Sequence, residues 1–240
     1  MGWSRYAKWA VLVLAVLILA AEGYFGYRWY QRYHASTVEA EASSDRGVPA
    51  EAAREPQAAG DVGDALVHRA TAGNTVDNST YMDHPSSNGN PDAIVLVTQA
   101  QDPDGTPANA HPIGVWYDEN RGGRWAIFNQ DLAPMPENAI FSVVILEKPG
   151  GSTFVHRVTP SNTEGENTYL SHPSADANPD AVLLVTPTWN PGGGAGTYNS
   201  HPVGVRYDAA ESRWTVRNED LAPIPDRAAF EVSVQNSGAG

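Results

Sequence analysis

The second half of this chain repeats the first, and that duplication constrains the fold more tightly than any single motif. His84-Pro85 returns as His172-Pro173, Asn90-Pro91-Asp92-Ala93 as Asn178-Pro179-Asp180-Ala181, and Leu96-Val97-Thr98 as Leu184-Val185-Thr186, all at an offset of 88. His111-Pro112, Gly114-Val115 and Tyr117-Asp118 return at 90 as His201-Pro202, Gly204-Val205 and Tyr207-Asp208, so the intervening loop differs by two residues. At 89, Arg124-Trp125 matches Arg213-Trp214, Asp131-Leu132-Ala133-Pro134 matches Asp220-Leu221-Ala222-Pro223, and Phe141 matches Phe230. Val67-His68-Arg69 likewise returns as Val155-His156-Arg157. Self-similarity at a fixed spacing marks tandem structural units, which places one unit at 65–147 and a second at 152–237.

Each unit reads as β-structure. Short apolar runs at 93–98, 112–117, 124–128 and 139–146 are separated by clusters of Pro, Gly, Asn and Asp every ten or so residues, the spacing of a small sandwich or barrel. The 22 Gly and 18 Pro in 240 residues reinforce this, since they punctuate turns and weaken helices. The expected fold is all-β: two tandem small β-sandwich domains, with Trp125, Trp214, Tyr117, Tyr207, Phe141 and Phe230 in equivalent core places.

The amino-terminal part is different material. Arg5 and Lys8 precede an unbroken apolar run from Trp9 to Ala21, followed by Tyr24, Phe25, Tyr27, Trp29 and Tyr30 with Arg28 and Arg32 interleaved. As a helix, residues 10–30 would rise about 31 Å, matching a hydrocarbon core of roughly 30 Å. A charged start, a short apolar core and the small residues Ala21 and Gly23 also fit a cleaved secretory signal. The aromatic cluster favours a retained anchor, because Tyr and Trp gather at membrane interfaces. Residues 1–35 are therefore expected to be a single transmembrane signal anchor, with the lipid bilayer as one partner. Its partner-facing residues would be Trp9, Tyr24, Phe25, Tyr27, Trp29, Tyr30 and Arg32. The charge bias across the span is about one. With a short basic start and a large trailing part, the expected topology is inner membrane, amino terminus cytoplasmic and repeats outside. Glu22, the one acidic group of the span, is read at headgroup level, and no histidine within the span offers a pigment ligand. Residues 36–64, rich in Ala, Glu, Pro and Gly, bury too little to order themselves and read as a linker.

The net charge of −13 sets a field that repels phosphate backbones, so nucleic acid is excluded as a partner. The absence of cysteine excludes disulfides, thiol catalysis and thiolate metal sites.

The pattern HPxxxxNPDAhhLVT, HPhGVxYD, RWxhxNxDLAPhP and AxF, where h is apolar, resembles an uncharacterised repeat of bacterial secreted and envelope proteins, often found in tandem. The resemblance covers about 170 of the 240 residues. It implies a small β-sandwich and assigns no activity. The second copy, with Thr186, Trp189-Asn190-Pro191 and Gly192 to Gly194, is nearer the repeat's form than the first, where Gln99 to Pro107 replaces that loop. The layout of one helix and two acidic sandwiches also resembles the small accessory subunit that accompanies the reaction centre and light-harvesting rings of phototrophic gemmatimonads. That resemblance implies membrane-protein subunits of a larger complex as partners.

The recurring His84, His111, His172 and His201, with Asp92, Asp131, Asp180 and Asp220, invite a metal or acid–base reading. A His or Asp beside Pro at a strand boundary more commonly bonds its own backbone to fix a turn, and turn or corner roles are expected for all eight. The Asp102-Pro103-Asp104-Gly105 loop lacks the downstream acidic ligand of a calcium loop, and Gly192 to Gly196 has no following helix to cradle a phosphate. No catalytic residues, cofactor or metal are expected. The leading functional expectation is a non-enzymatic, membrane-anchored structural or accessory subunit. The alternative is an envelope module that binds carbohydrate or a surface ligand, with Trp116, Trp189 and Tyr198 as stacking platforms.

Overall fold

The computed structural model describes residues 63–101 and 109–235. The anchor and aromatic belt (Trp9, Tyr24, Phe25, Tyr27, Trp29, Tyr30, Arg32), most of the linker and the Asp102 loop lie outside the described residues. Among the described residues no helix is long and apolar enough to cross a membrane. Both repeats belong to one compact unit, Ala58–Gly240.

The described chain is all-β. In the first repeat the strands are Asp64–Arg69 (β1), Thr75–Val76 (β2), Ser79–Tyr81 (β3), Ile94–Ala100 (β4), Ile113–Asp118 (β5), Arg124–Asn129 (β6) and Ile140–Leu146 (β7). The second repeat supplies Thr153–Arg157 (β8), Thr163–Glu164 (β9), Asn167–Tyr169 (β10), Val182–Thr188 (β11), Val203–Asp208 (β12), Arg213–Asn218 (β13) and Ala229–Gln235 (β14). A single 3₁₀ turn, Glu119–Arg121, bridges β5 and β6.

Strand order repeats as the sequence does. In the first repeat β1-β7-β4 faces β2-β3-β6-β5, and in the second β8-β14-β11 stands against β9-β10-β13-β12. Alternation along each strand sends one set of side chains between the sheets. Val95, Val97, Phe141, Val143 and Ile145 from one sheet meet Val115, Tyr117, Trp125 and Ile127 from the other. The second core is built likewise from Phe230, Val232 and Val234 against Trp214 and Val216. Trp125 is fully buried with its edge against Tyr117, at 5.8 Å between ring centroids, and the Tyr207–Trp214 pair repeats this at 5.5 Å. Each indole donates its N–H to a loop carbonyl, Trp125 to Asn90 and Trp214 to Asn178, both at 2.8 Å. A buried indole needs such an acceptor, which gives the recurring Asn-Pro-Asp-Ala loop a physical purpose.

The sequence leads one to expect two separate sandwiches. Instead, β11 of the second repeat joins β5 of the first in parallel, Thr188 opposite Val115. The result is one seven-stranded sheet in the order β2-β3-β6-β5-β11-β14-β8, which belongs to both repeats.

Trp125→Ala should lower stability by about 3–5 kcal/mol through the cavity it leaves, or roughly 10 °C in Tm. A thermal midpoint unchanged within error would place that indole outside the core.

Candidate functional site

The recurring polar residues close turns. His84 Nδ1 accepts the Ser86 N–H and His172 Nδ1 accepts that of Ser174, each at 3.3 Å. The His172 ring also stacks on Phe154, with centroids 4.4 Å apart. His111 Nδ1 donates to Asp131 Oδ2 and His201 Nδ1 to Asp220 Oδ2, both at 2.7 Å. The other oxygen of each aspartate accepts an N–H two residues on, from Ala133 and Ala222. Partial desolvation opposes ionisation of Asp131, but the His111 hydrogen bond and the Ala133 N–H outweigh it and hold the carboxyl below the usual range. The Asp220 carboxyl is lowered chiefly by its bond to His201. Asn129 and Asn218 donate into the same turns, to the carbonyls of Ala133 and Ala222 at 3.0 Å. These turns carry Leu132 and Leu221 in the left-handed region, at φ 64° and 65°, a conformation that non-glycine residues hold only when neighbours over-determine it.

His111 and His201 line one groove of about 620 Å³ between the repeats. Among the described residues no group of three or more His, Cys, Asp and Glu side chains converges where a cation could sit.

Two histidines outside the expected set are buried. His68 Nε2 is hydrogen-bonded to Thr80 Oγ1 and His156 Nε2 to Thr168 Oγ1, both at 2.8 Å. Burial lowers both pKa values, that of His156 to about 4 with help from the Arg213 charge. Both matching signals, Val67-His68-Arg69 and Val155-His156-Arg157, were visible in the repeat.

The most heavily built polar region is the junction of the two repeats. Trp189 N–H donates to the Val115 carbonyl at 2.8 Å. One residue on, the Asn190 amide takes the place of a strand: its Oδ1 accepts the Tyr117 N–H and its Nδ2 donates to the Tyr117 carbonyl, both at 2.8 Å. Asn190 is buried. Gly114 permits this approach, because a Cβ there would stand 3.1 Å from the Pro187 carbonyl oxygen and 2.9 Å from Phe128. Pro187 has no N–H to leave unpaired on that strand edge. Gln130 completes the seam, its side-chain oxygen accepting the Asn199 N–H at 3.0 Å and its carbonyl accepting the Ser200 hydroxyl at 2.8 Å.

The aromatic residues with stacking potential lie along this seam. Trp116 meets Trp189 edge-on at 6.0 Å, Phe128 meets Tyr198 edge-on at 5.9 Å, and Trp189 and Tyr198 contact at 5.6 Å. Trp116 and Trp189 are half-buried by these contacts and only Tyr198 is largely exposed, at 44%. Beside the seam, the edge of β4 meets the outer face of β11 and β14. The Val97 N–H donates to Thr186 Oγ1 at 2.8 Å and the Val95 N–H to Glu231 Oε2. Glu231 is fully buried, and desolvation pushes its carboxyl up to about 8.

Two outcomes are expected. Asn190→Ala strands a buried N–H and carbonyl on β5, and should cost about 2–4 kcal/mol while splitting one denaturant transition into two. Because His156 has a depressed pKa, the unfolded chain binds the extra proton; its contribution is intact above about pH 6.5 and is lost as pH falls towards 4, by about 3 kcal/mol. The thermal midpoint should drop across that window in the natural chain, and His156→Gln should flatten the drop.

No curated protein and no solved structure matches the chain. One family profile does, a domain of unknown function designated DUF7452, and it matches twice, over residues 47–145 and 121–234. Two matches in tandem follow the duplicated strand order, and together they cover well over half of the sequence. The chain therefore belongs to the DUF7452 family and carries its domain as a tandem pair.

Proposed function

We propose that this protein is a non-enzymatic, membrane-anchored accessory subunit whose two repeats act as one rigid body docked on larger membrane-protein partners. The observation that carries the reading is the junction. The aromatic side chains best suited to hold a ligand, Trp116 and Trp189, are packed against each other across it, and a shared sheet stiffens the pair. The histidines and aspartates suited to chemistry are engaged in turns instead. A stiff pair of repeats joined through one sheet suits a spacer or brace.

The apolar run of residues 10–30, with Trp9, Tyr24, Phe25, Tyr27, Trp29, Tyr30 and Arg32 around it, supplies the membrane part of the reading. In this reading the span crosses the inner membrane with the amino terminus cytoplasmic and packs against neighbouring subunits. The resemblance of layout makes a reaction centre–light-harvesting assembly the larger complex of this reading.

Mild-detergent extraction followed by native electrophoresis tests the proposal. The expected result is comigration with a pigmented or respiratory membrane complex. Migration alone, with retention on a polysaccharide column that Tyr198→Ala abolishes, would overturn it in favour of the ligand-binding module. Protease added to intact spheroplasts should remove the repeats, and protection would reverse the topology.

A further inference from the structure

Glu231 breaks the repeat at the place where the two copies touch. Its counterpart in the first repeat is Ser142, exposed on the outer face of β7. In the second repeat the matching face of β14 is pressed against β4, and a carboxyl stands where the first copy has a small hydroxyl. The side chain is fully buried, and Oε2 accepts the Val95 N–H from the other repeat. The carboxyl lies beside the buried hydroxyl of Thr188, and beyond each other neither Oε1 nor that hydroxyl oxygen has a hydrogen-bond partner among the described residues.

A carboxyl protonated on Oε1 donates to Thr188 Oγ1 while Oε2 still accepts from Val95, so the closed junction holds a neutral, fully paired group. An ionised carboxylate can draw the same two partners, Val95 N–H and the Thr188 hydroxyl, but it buries a whole charge with no cation facing it among the described residues. β4 and β11 carry no ionisable side chain, and β14 carries none besides Glu231. On β8, His156 points into the second repeat towards Thr168. Arg157 shares the outer face with Glu231 but donates to the Pro191 carbonyl at 3.0 Å. No charge of either sign contributes to the upward shift of this carboxyl.

We propose that Glu231 is a proton-operated latch of the inter-repeat junction: protonated, it seals the edge of β4 beneath the second repeat, and ionised, it opens that seal. The inference concerns the junction alone and stands whether or not the chain serves as an accessory subunit. An acid whose pKa is raised on closure holds the closed form fully below its ordinary value near 4.5, and progressively loses that hold as pH rises through the closed-state value near 8. The window from pH 6.5 to 9 lies above the one in which the buried histidines act.

The experiment is amide hydrogen exchange on the full-length chain across pH 6.5–9, reading Val95 and Val97 at the junction and Ile127 in the first core. It compares the natural protein with Glu231→Gln, and with Glu231→Ser, which installs the residue of the first repeat. After division by the intrinsic base-catalysed rate, the junction opening constant of the natural chain should rise about 30-fold over this range. Ile127 should stay level, and both variants should show a flat junction profile. Identical pH profiles in the natural chain and a folded variant would overturn the latch. So would simultaneous loss of protection at Val95, Val97 and Ile127, which reports global unfolding in place of junction opening.

Discussion

An edge strand covered by a neighbouring domain must have its amides paired, because an orphaned buried N–H costs as much as a lost hydrogen bond and more. In this chain that requirement falls on β4, and the second repeat meets it with side chains where a sheet would use backbone. Thr186 and Glu231 receive the outward N–H groups of Val97 and Val95. Ile94 and Leu96 of the same strand, with Leu146 and Val144, pack on Val155 from the second repeat. Once the strand edge is paired in this way, the apolar contacts around it close without penalty. The neighbouring β5 edge is met by real strand pairing, extended one residue further by the amide of Asn190. Two kinds of edge satisfaction, side by side, fix how one sandwich sits on the next.

Much of each repeat was legible because its determinants recur. A tryptophan at one position of β6 and again on β13 must find a core and an acceptor, and the Asn-Pro-Asp-Ala loop that supplies the acceptor recurs with it. The histidine–aspartate pairs recur for the same reason, being local contacts between motifs that travel together. The junction left no such mark. Thr188 and Val115 are far apart in sequence and belong to different copies, so no periodicity connects them. Trp116 and Trp189 looked like an exposed platform because exposure is a property of neighbours that the sequence does not display. The available signal was the mismatch between copies: Ser142 against Glu231, Trp116 against Arg206, Phe128 against Arg217 and Gln130 against Glu219. Positions where a duplicated chain departs from itself are where its copies stop being equivalent, and several of these lie on the seam.

The same departures explain why the outer edge of the second repeat, unpaired among the described residues, differs from the edge it covers. β12 occupies in the second sandwich the place of β5 in the first, yet Arg206 and Arg217 stand where Trp116 and Phe128 receive the aromatic seam. Glu219 lies over Gly204, the counterpart of the glycine that lets Pro187 approach. Charge on an exposed strand edge discourages further pairing, so the edge is blunted where the first repeat's is adhesive.

The shared sheet also has a consequence for how the protein is made. A ribosome releases the first repeat before β11 and β14 exist, and at common elongation rates of about 5–20 residues per second the interval lasts on the order of ten seconds. During that time β4 shows bare amides at Val95 and Val97, β5 shows Tyr117 unclamped, and the apolar side chains of Ile94, Leu96 and Val144 face solvent. Such an edge is an invitation to strands of other nascent chains. In a chain that carries its domain as a tandem pair, the order of emergence makes the first copy a client of the second, complete in its own core but incomplete in its surface until its neighbour has folded against it.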